Sequence, residues 1–262
     1  MDHSEDEYWG LKASTWDLFH DDAPESEDRP FYRDIIRRSG EPALDVGCGT
    51  GRLLLDYLAH GIEIDGVDNS PEMLALCREK AQQAGLVPPV FQQSMKTLDL
   101  PRRYRTVIVP SSAFQLLVDR ADGAEAMHRF FRHLEPGGML AMPFMVLYTG
   151  EVGEDTVIED WKCTSETVRP SDGALVRIWS RTVFDLTQRL EHTQDRFEVI
   201  RDGQIHVSEE HARSPATRWY TQQEAVDLYA TAGFRDIHLL HGFSFRPASA
   251  DDTLFCVLGT RP

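Results

Sequence analysis

The amino-acid sequence predicts an α/β protein built on a doubly wound sheet that is mostly parallel, has an antiparallel last strand and carries an inserted antiparallel β-sheet. Short apolar runs alternate with longer amphipathic runs over residues 43–144, which is the pattern of βαβ units that form a parallel sheet. Residues 156–211 instead show strand-like alternation without helical periods. The α/β pattern then returns, so the chain is expected to complete one sheet after an excursion.

These changes of rhythm divide the 262 residues into three predicted parts. An N-terminal cap and a Rossmann-like, cofactor-binding core are expected over residues 1–150, an inserted antiparallel subdomain over residues 151–215, and the C-terminal completion of the core over residues 216–262. A chain of this length can bury the substantial core that such a domain needs.

The first βαβ unit starts with "ALDV", Ala43–Val46, as a buried strand, and a helix over residues 52–60 follows it. A second strand is expected over residues 62–68. The next helix begins at "SPEM", where Ser70 can accept a hydrogen bond as N-cap and Pro71 fits the first helical position.

The second half of the core is predicted from the same signals. Strands are expected near residues 90–92 and 105–110, and a helix around residues 124–134. The Pro-Gly-Gly of "EPGG" then predicts a turn that leads into a strand over residues 139–144.

Turn residues organise the rest of the chain. Asp-Gly pairs at residues 172–173 and 202–203 predict two hairpins in the insert, because this dipeptide suits turns that need positive φ. Thr221 and Glu224 have the spacing of a capping box, and Gly233 is placed to end the helix that they start. Two last strands are expected near residues 237–240 and 254–260.

Composition limits the partners. The chain has 27 basic and 43 acidic residues, a formal charge of −16, which repels nucleic-acid phosphates and anionic lipids. No apolar run approaches the ~18 residues of a membrane span, and the acidic N-terminus does not resemble a signal peptide. The four cysteines show no spacing typical of a zinc site or a small disulfide framework. We therefore expect a cytoplasmic protein without nucleic-acid or membrane partners.

The stretch "LDVGCGTGRLL", residues 44–54, joins the first strand to its helix. Gly47, Gly49 and Gly51 permit positive φ and a close approach by a ligand, which then meets backbone N–H groups and the positive end of the helix dipole. A dinucleotide fingerprint would place a third glycine where this chain has Arg52. Arg52 therefore weakens the interpretation of the loop as a pyrophosphate site.

Asp68 ends the second predicted strand, 17 residues after Gly51. A carboxylate at this position can accept hydrogen bonds from both hydroxyls of a ribose. The alternative is that Asp68 only caps the helix that starts at Ser70.

Five stretches, "LDVGCGTGRLL", "GVDNSPEML", "FQQSMKTLDL", "YRTVIVPSSAFQLL" and "HLEPGGML", carry a resemblance. Their order and spacing resemble those of class I S-adenosylmethionine-dependent methyltransferases over roughly residues 30–145, with an echo in "RWYTQQEAVDLYATAGF". More narrowly, the chain resembles the small-molecule branch that includes amino-sugar N-methyltransferases and glycine N-methyltransferase-like enzymes.

The resemblance implies S-adenosylmethionine as cofactor, held at the carboxyl ends of the strands. Ser94 stands where the family usually has an aspartate for the adenine amino group. The other implied contacts are Asp45, Gly47, Cys48 and Gly49 for the methionine part, Asp68 for the ribose, Asn69, Met73 and Met95 for the adenine, and Pro110, Ser111 and Phe114 beside the methyl group.

Two aromatic residues are further cofactor candidates. Trp16 in "STWDLFH" stands where many relatives have the tyrosine of a Tyr-Asp-Leu turn, and Tyr32 lies in "FYRDII". An aromatic ring can attract a sulfonium by a cation–π interaction of ~1 kcal/mol. The alternative is that both are ordinary core aromatics.

Methyl transfer is an in-line displacement from an activated sulfonium, so the protein must mainly orient and desolvate the reactants. A base is needed only for a hydroxyl or a protonated amine. None of the ten histidines has metal-site spacing, and no Ser/His/Asp arrangement is legible, so neither a metal nor a catalytic base is assigned.

The insert leaves from the carboxyl end of the strand over residues 139–144, where ligands of open α/β sheets bind. We therefore expect it to form a wall of the acceptor pocket. The large aromatic residues in and beside the insert are the candidates for that wall, or else they form the insert's own core or a homodimer contact. They are Tyr148, Trp161, Trp179 and Trp219.

These inferences predict a methyltransferase that transfers a methyl group from S-adenosylmethionine to a nitrogen or oxygen of a small molecule. Two alternatives stay open. One is a protein that binds S-adenosylmethionine without catalysis, and the other is a nicotinamide-dependent oxidoreductase, which Arg52 argues against.

Overall fold

The computed structural model describes residues 8–20, 27–150 and 155–262. The predicted boundary between core and insert, at residues 150 and 151, adjoins a stretch outside the described residues. The first seven residues of the predicted N-terminal cap also lie outside them, and the three-part division stays a prediction.

Helices and strands alternate in the described core as the sequence predicts. The helices are α1 (Gly10–Ser14), α2 (Trp16–Phe19), α3 (Asp28–Ser39), α4 (Arg52–Ala59), α5 (Pro71–Gln83), α6 (Arg120–His133) and α7 (Gln222–Ala232). The strands are β1 (Ala43–Val46), β2 (Ile64–Asp68), β3 (Val90–Gln92), β4 (Tyr104–Ile108), β5 (Leu134–Met145), β6 (Thr156–Val168), β7 (Leu175–Asp185), β8 (Leu190–Arg201), β9 (Gln204–Arg218), β10 (Arg235–His241) and β11 (Leu254–Thr260). Short 3₁₀ turns occupy Met95–Thr97 and Ala113–Leu116.

The main sheet has the strand order β3-β2-β1-β4-β5-β11-β10 within the described residues. Strands β1 to β5 pair in parallel, and β11 is antiparallel to both of its neighbours. Helices α6 and α7 pack on one face and α3, α4 and α5 on the other, so each face has its own apolar core. The predicted fold class is confirmed.

Several helix ends follow the predicted chemistry. The Ser70 hydroxyl accepts a hydrogen bond from the Met73 N–H at 3.1 Å. Thr221 and Glu224 form both hydrogen bonds of a capping box, and Gly233 ends α7 with φ +100°. These ends depend on contacts within one turn, which explains why sequence spacing predicts them.

The "EPGG" stretch differs from the prediction of a simple turn. Strand β5 already begins at Leu134, which pairs with Tyr104, and Met139 pairs with Thr106. Five steps on β5 therefore oppose two on β4, which is a large bulge, and Gly137 accommodates it with φ +76°.

The second sheet is antiparallel, with the order β6-β7-β8-β9. Both Asp-Gly pairs form hairpin turns, with φ +71° at Gly173 and +74° at Gly203. Strand β9 continues to Arg218, beyond the predicted end of the alternating pattern. The predicted antiparallel insert is thus present as a sheet of its own.

A buried carboxylate, Asp65, connects the N-terminal ends of β2 and β4. The Asp65 side chain in β2 is 5% exposed and accepts hydrogen bonds from Arg102 Nε at 2.8 Å and Nη2 at 2.6 Å. The Tyr104 hydroxyl donates a third bond at 2.8 Å. Ion pairing and hydrogen bonding together compensate the charge that β2 buries.

We expect Arg102→Ala to lower the free energy of unfolding by about 2–3 kcal/mol, because it leaves a buried carboxylate without its cation. The value is below that for a fully buried pair because the Arg102 side chain is 35% exposed. Tyr104→Phe, which removes one hydrogen bond, should cost about 1 kcal/mol. Urea unfolding monitored by circular dichroism measures both, and equal effects would contradict the assigned role of the ion pair.

Candidate functional site

Two adjoining cavities open where the carboxyl ends of β1, β2 and β4 meet. The glycine-loop cavity, about 130 Å³, lies against residues 45–53, and the outer cavity, about 360 Å³, extends toward α6 and β9. The residues that line both are Tyr8, Gly47, Asp68, Asn69, Met95, Ala113 and Leu116.

The glycine loop has the backbone that the sequence predicts, with φ +75° at Gly47, +53° at Gly49 and +89° at Gly51. A Cβ on Gly51 would lie 2.7 Å from Cys77 Sγ, and one on Gly47 would lie 3.0 Å from the Ala113 Cβ. Gly51 therefore excludes a side chain for steric as well as conformational reasons, and Gly47 leaves little room for one beside Ala113. The resulting cradle leaves the loop backbone at the cavity wall.

Asp68 ties the glycine loop to the start of α5. One carboxylate oxygen accepts a hydrogen bond from the Gly49 N–H at 2.9 Å, and the other accepts one from the Ser70 N–H at 2.9 Å. The contact expected of a helix cap is thus present, but the same carboxylate lines both cavities. Since each carboxylate oxygen has a second lone pair, these two hydrogen bonds do not exhaust its capacity as an acceptor.

Asp45 lies beneath the loop with 1% of its surface exposed. Burial raises the pKa of its carboxyl to about 7, while the Arg52 cation and a hydrogen bond from the Leu54 N–H oppose this rise. Its Oδ1 has no hydrogen-bond partner among the described residues, although the side chain lines the glycine-loop cavity. Such an acceptor fits a ligand that brings a cationic donor.

The N-terminal segment covers the glycine-loop cavity. Trp16 lines it and stacks on His20, with ring centroids 3.5 Å apart. Asp17 accepts hydrogen bonds from Thr50 Oγ1 at 2.6 Å and from Lys80 Nζ at 3.0 Å, which attaches the segment to the loop. Tyr8 also lines both cavities, and nothing in its sequence context singles it out.

The structure brings most of the predicted cofactor residues to these cavities. Ser94 lines the outer cavity and Met95 lines both. Burial raises the pKa of the Cys48 thiol well above its usual value, so the group that faces the cavity is a neutral thiol. The other predicted residues in the wall of the glycine-loop cavity are Trp16, Asp45, Gly47, Gly49, Asp68, Asn69, Met73, Pro110 and Ser111.

Tyr32 and Phe114 are not among the described residues that line either cavity, which corrects their placement. Tyr32 is fully buried between Phe31 and Phe243, so it is the core aromatic that the alternative expected. Phe114 is also fully buried and packs against Phe144 with centroids 6.0 Å apart. It points away from the cavities because the short turn over Ala113–Leu116 presents its neighbours to them instead.

None of the four predicted acceptor-pocket aromatics belongs to the described lining of either cavity. Tyr148 and Trp219 pack on Phe184, with ring centroids 5.5 and 6.2 Å away, and form a small core of the second sheet. Trp179 donates its indole N–H to Glu198 at 3.0 Å, and Trp161 is 40% exposed. The alternative that these aromatics serve the insert's own core fits Tyr148 and Trp219.

Charged residues that sequence reasoning missed line the cavities instead. Arg213 of β9 reaches the outer cavity from the second sheet, where Lys96 and Asp122 form an ion pair at 3.3 Å. Arg52 lines the glycine-loop cavity. Single charged residues within a strand or at a helix start carry no pattern, so only the folded chain reveals them.

Comparison with known proteins assigns the class of this site. A family model described as a methyltransferase domain matches residues 43–138. A candidate methyltransferase of Geobacillus sp. is 26% identical over 239 residues, which cover 87% of this chain and 91% of that protein. The dTDP-3-amino-3,4,6-trideoxy-alpha-D-glucopyranose N,N-dimethyltransferase of Streptomyces venezuelae is 29% identical over 198 residues, 70% of this chain and 80% of that protein.

The fold agrees with a solved S-adenosylmethionine-dependent methyltransferase from Clostridium acetobutylicum, with a TM-score of 0.73 at 18% identity over 94% of this chain and 96% of that one. The chain is an S-adenosylmethionine-dependent methyltransferase. S-adenosylmethionine is accordingly its cofactor. The residues of the methyltransferase fit this cofactor, since the glycine cradle admits a close ligand and the partnerless Asp45 oxygen suits its ammonium group.

Two further observations concern the described residues of the methyltransferase. None of their helices combines the length and the apolarity that a membrane span requires. They also contain no group of three or more histidine, cysteine, aspartate or glutamate side chains placed to hold a metal ion.

The raised pKa of Asp45 predicts a pH-dependent gain from Asp45→Asn in the ligand-free protein. Between pH 3.8, the ordinary pKa of an aspartate, and about pH 7, the pKa of Asp45 in the folded state, the folded protein keeps a proton that the unfolded state releases. Stability is therefore lost at up to about 1.4 kcal/mol per pH unit as pH rises through this window. The variant escapes this loss, so its stability advantage should grow from pH 5 to 7 and level off above.

Urea unfolding at pH 5, 6, 7 and 8 measures the difference between the parent and Asp45→Asn. Asp34→Asn is the control, because its carboxylate on α3 is 48% exposed. This control should show no comparable trend. A constant difference between Asp45→Asn and the parent at all four pH values would refute the assignment.

Proposed function

We propose that this methyltransferase transfers the methyl group of S-adenosylmethionine to a nitrogen or oxygen atom of a small molecule. The observation that carries the proposal is the outer cavity, which adjoins the glycine-loop cavity and is limited to about 360 Å³. A pocket of this size suits a small acceptor. The Streptomyces venezuelae relative, named for N,N-dimethylation of an amino sugar, supports a nitrogen acceptor.

In this proposal the cofactor lies along the glycine-loop cavity in one orientation, and its adenine reaches Ser94 in the wall of the outer cavity. Asp45 accepts from the ammonium group of the methionine part, and the loop over residues 47–49, with the Cys48 thiol, lies along that part. The Asp68 carboxylate accepts from the ribose hydroxyls while it keeps its bonds to the loop and to α5. Asn69, Met73, Ser94 and Met95 surround the adenine, which Ser94 can bond through its hydroxyl.

The cofactor supplies a methyl group on a positively charged sulfur, which is already a good leaving group. Trp16 offers an aromatic face near this charge. Tyr32 and Phe114 have no such role, because neither belongs to the described lining of the two cavities. Closure by the N-terminal segment excludes water from the sulfur. The residues therefore act by orientation and desolvation, which can supply ~7 kcal/mol or more.

Ser111 and Pro110 form the cavity wall at the end of β4. Ser111 and Ser112 have φ +54° and +55°, a left-handed backbone that costs non-glycine residues of order 1 kcal/mol each. We propose that this strained turn aims the Ser111 hydroxyl at the acceptor to orient it. A neutral amine needs no base, so no proton acceptor is assigned.

The free cysteines and the exposed Trp161 bear on the cellular compartment and the oligomeric state of the enzyme. Cys48, Cys77 and Cys256 are buried and Cys163 is exposed, all unpaired, which suits a reducing cytoplasm. The exposed Trp161 on the second sheet suits a homodimer contact. We therefore propose a cytoplasmic enzyme that forms a homodimer, in which the insert forms a wall of the acceptor pocket through Arg213.

Asp68→Ala should lower the affinity for S-adenosylhomocysteine at least tenfold, because it removes up to two hydrogen bonds to a charged acceptor, each worth ~1.5–3 kcal/mol. Isothermal titration measures the affinity, and thermal unfolding checks that the variant is folded. Ser70→Ala removes the N-cap hydroxyl of α5 and should weaken binding less. A folded Asp68→Ala protein that binds as tightly as the parent would reduce Asp68 to a helix cap.

Turnover tests the function itself. The parent protein, S-adenosylmethionine and a panel of amines, amino sugars, phenols and sugar hydroxyls should give a methylated product and an equal amount of S-adenosylhomocysteine by mass spectrometry. Binding of S-adenosylhomocysteine without turnover of any acceptor would favour the non-catalytic alternative. Binding of NAD in its place would favour the oxidoreductase, and methylation of carbon alone would contradict a nitrogen or oxygen acceptor.

A further inference from the structure

The glycine-loop cavity has an uneven set of charges. Asp45, Arg52 and Asp68 are the charged side chains among the described residues that line it, so Arg52 is the only cation of this described lining. The proposed orientation of the cofactor gives Asp45 the ammonium group and Asp68 the ribose. The carboxylate of the same methionine part still requires a positive partner.

Arg52 is held in a fixed plane by Asp28. Its Nη1 donates to one Asp28 oxygen at 2.9 Å and its Nη2 donates to the other. The Asp28 residue is 7% exposed, and the Arg52 side chain is 21% exposed. A bidentate pair of this kind sets the orientation of the guanidinium.

Asp28 itself is anchored by contacts that involve no ligand. Its neighbour Arg29 forms an ion pair with Asp56 of α4 at 3.4 Å. The Tyr57 hydroxyl donates to the Arg29 carbonyl oxygen at 2.8 Å. The first turn of α3 is therefore fastened to α4, and the position of Arg52 is set before a ligand enters.

Arg52 and the Asp45 subsite share one turn of α4. The Leu54 N–H, which hydrogen-bonds Asp45, lies two residues after Arg52. An α-amino acid carries its ammonium and its carboxylate on the same carbon, so it requires an acceptor and a cation side by side. The helix N-terminus adds a favourable potential for the negative group.

We propose that Arg52, oriented by the buried Asp28, binds the carboxylate of the methionine part of S-adenosylmethionine. This assignment rests on the proposed function for the orientation of the cofactor. It gives a ligand-binding role to the residue that replaces the third glycine of a dinucleotide fingerprint. The competing explanation is that Arg52 only clamps α3 to α4.

Ligands that lack the carboxylate, or both the carboxylate and the ammonium group, separate the two explanations. The parent protein is titrated with S-adenosylhomocysteine, with its decarboxylated analogue and with 5′-methylthioadenosine, which lacks both charged groups. The parent should bind S-adenosylhomocysteine at least tenfold more tightly than the decarboxylated analogue. Equal affinities for these two ligands would overturn the proposal without any variant.

Arg52→Gln should lower the affinity for S-adenosylhomocysteine at least tenfold and leave that for the decarboxylated analogue within twofold of the parent. An equal loss for all three ligands would show a clamp and would overturn the proposal, as would unchanged binding of S-adenosylhomocysteine. The matched control is Arg37→Gln, which removes an arginine of α3 whose side chain is 65% exposed and leaves the cavity cation in place. This control should keep the parent's preference for the carboxylate-bearing ligand.

Failure of this proposal is distinguishable from failure of the proposed function. If the parent binds S-adenosylhomocysteine and turns over an acceptor but does not discriminate against the decarboxylated analogue, only the role of Arg52 is wrong. Circular dichroism and thermal unfolding establish that the variants are folded. If Arg52→Gln does not fold, Arg52→Lys, which keeps the charge but loses the fork that Asp28 orients, should lower the affinity for S-adenosylhomocysteine and retain only part of the preference. An equal loss for all three ligands in this variant would overturn the proposal.

Discussion

The carboxylate of Asp68 joins the two halves of the site, with one hydrogen bond to the Gly49 N–H of the glycine loop and one to the Ser70 N–H at the start of α5. Both cavities include this carboxylate in their walls, so its position sets where the loop, the helix and the ligand meet. The arrangement requires β1 and β2 to lie side by side in parallel, because only then do the loop and the helix start at the same edge. The parallel pairing of β1 and β2 is therefore what brings the glycine loop, Asp68 and the start of α5 together.

The buried Asp45 carboxyl is an energetically unfavourable group in the wall of the glycine-loop cavity. Burial of Asp45 disfavours its ionised form, and the opposing contributions of Arg52 and the Leu54 N–H do not restore an ordinary pKa. In the proposed orientation the ammonium group of the cofactor supplies the missing partner, so part of the binding free energy would come from offsetting the desolvation of this carboxylate. Stability of the free protein and affinity for the ligand are expected to oppose each other at this residue.

Sequence reasoning succeeded where one turn of chain decides the structure. The positive φ of the loop glycines, the capping box at Thr221 and the two Asp-Gly hairpins all follow from local stereochemistry. It failed where the direction of a side chain depends on what packs behind it. Phe114 is aromatic and lies beside the predicted site, yet its turn presents it to the core, and the "EPGG" bulge depends on pairing with β4. An unpatterned charge such as Arg213 leaves no signal at all.

The N-terminal helix α1 connects the second sheet to the cofactor side of the molecule. Its first two N–H groups donate to two different parts of the chain, Gly10 to Glu72 of α5 at 2.7 Å and Leu11 to Glu209 of β9 at 2.5 Å. Both acceptors are carboxylates, which the positive end of a helix favours. The segment that covers the glycine-loop cavity is thus attached to the strand that also carries Arg213 into the outer cavity. Because one strand serves both the cover and the outer wall, a change in how that sheet packs would alter the enclosure of both cavities together.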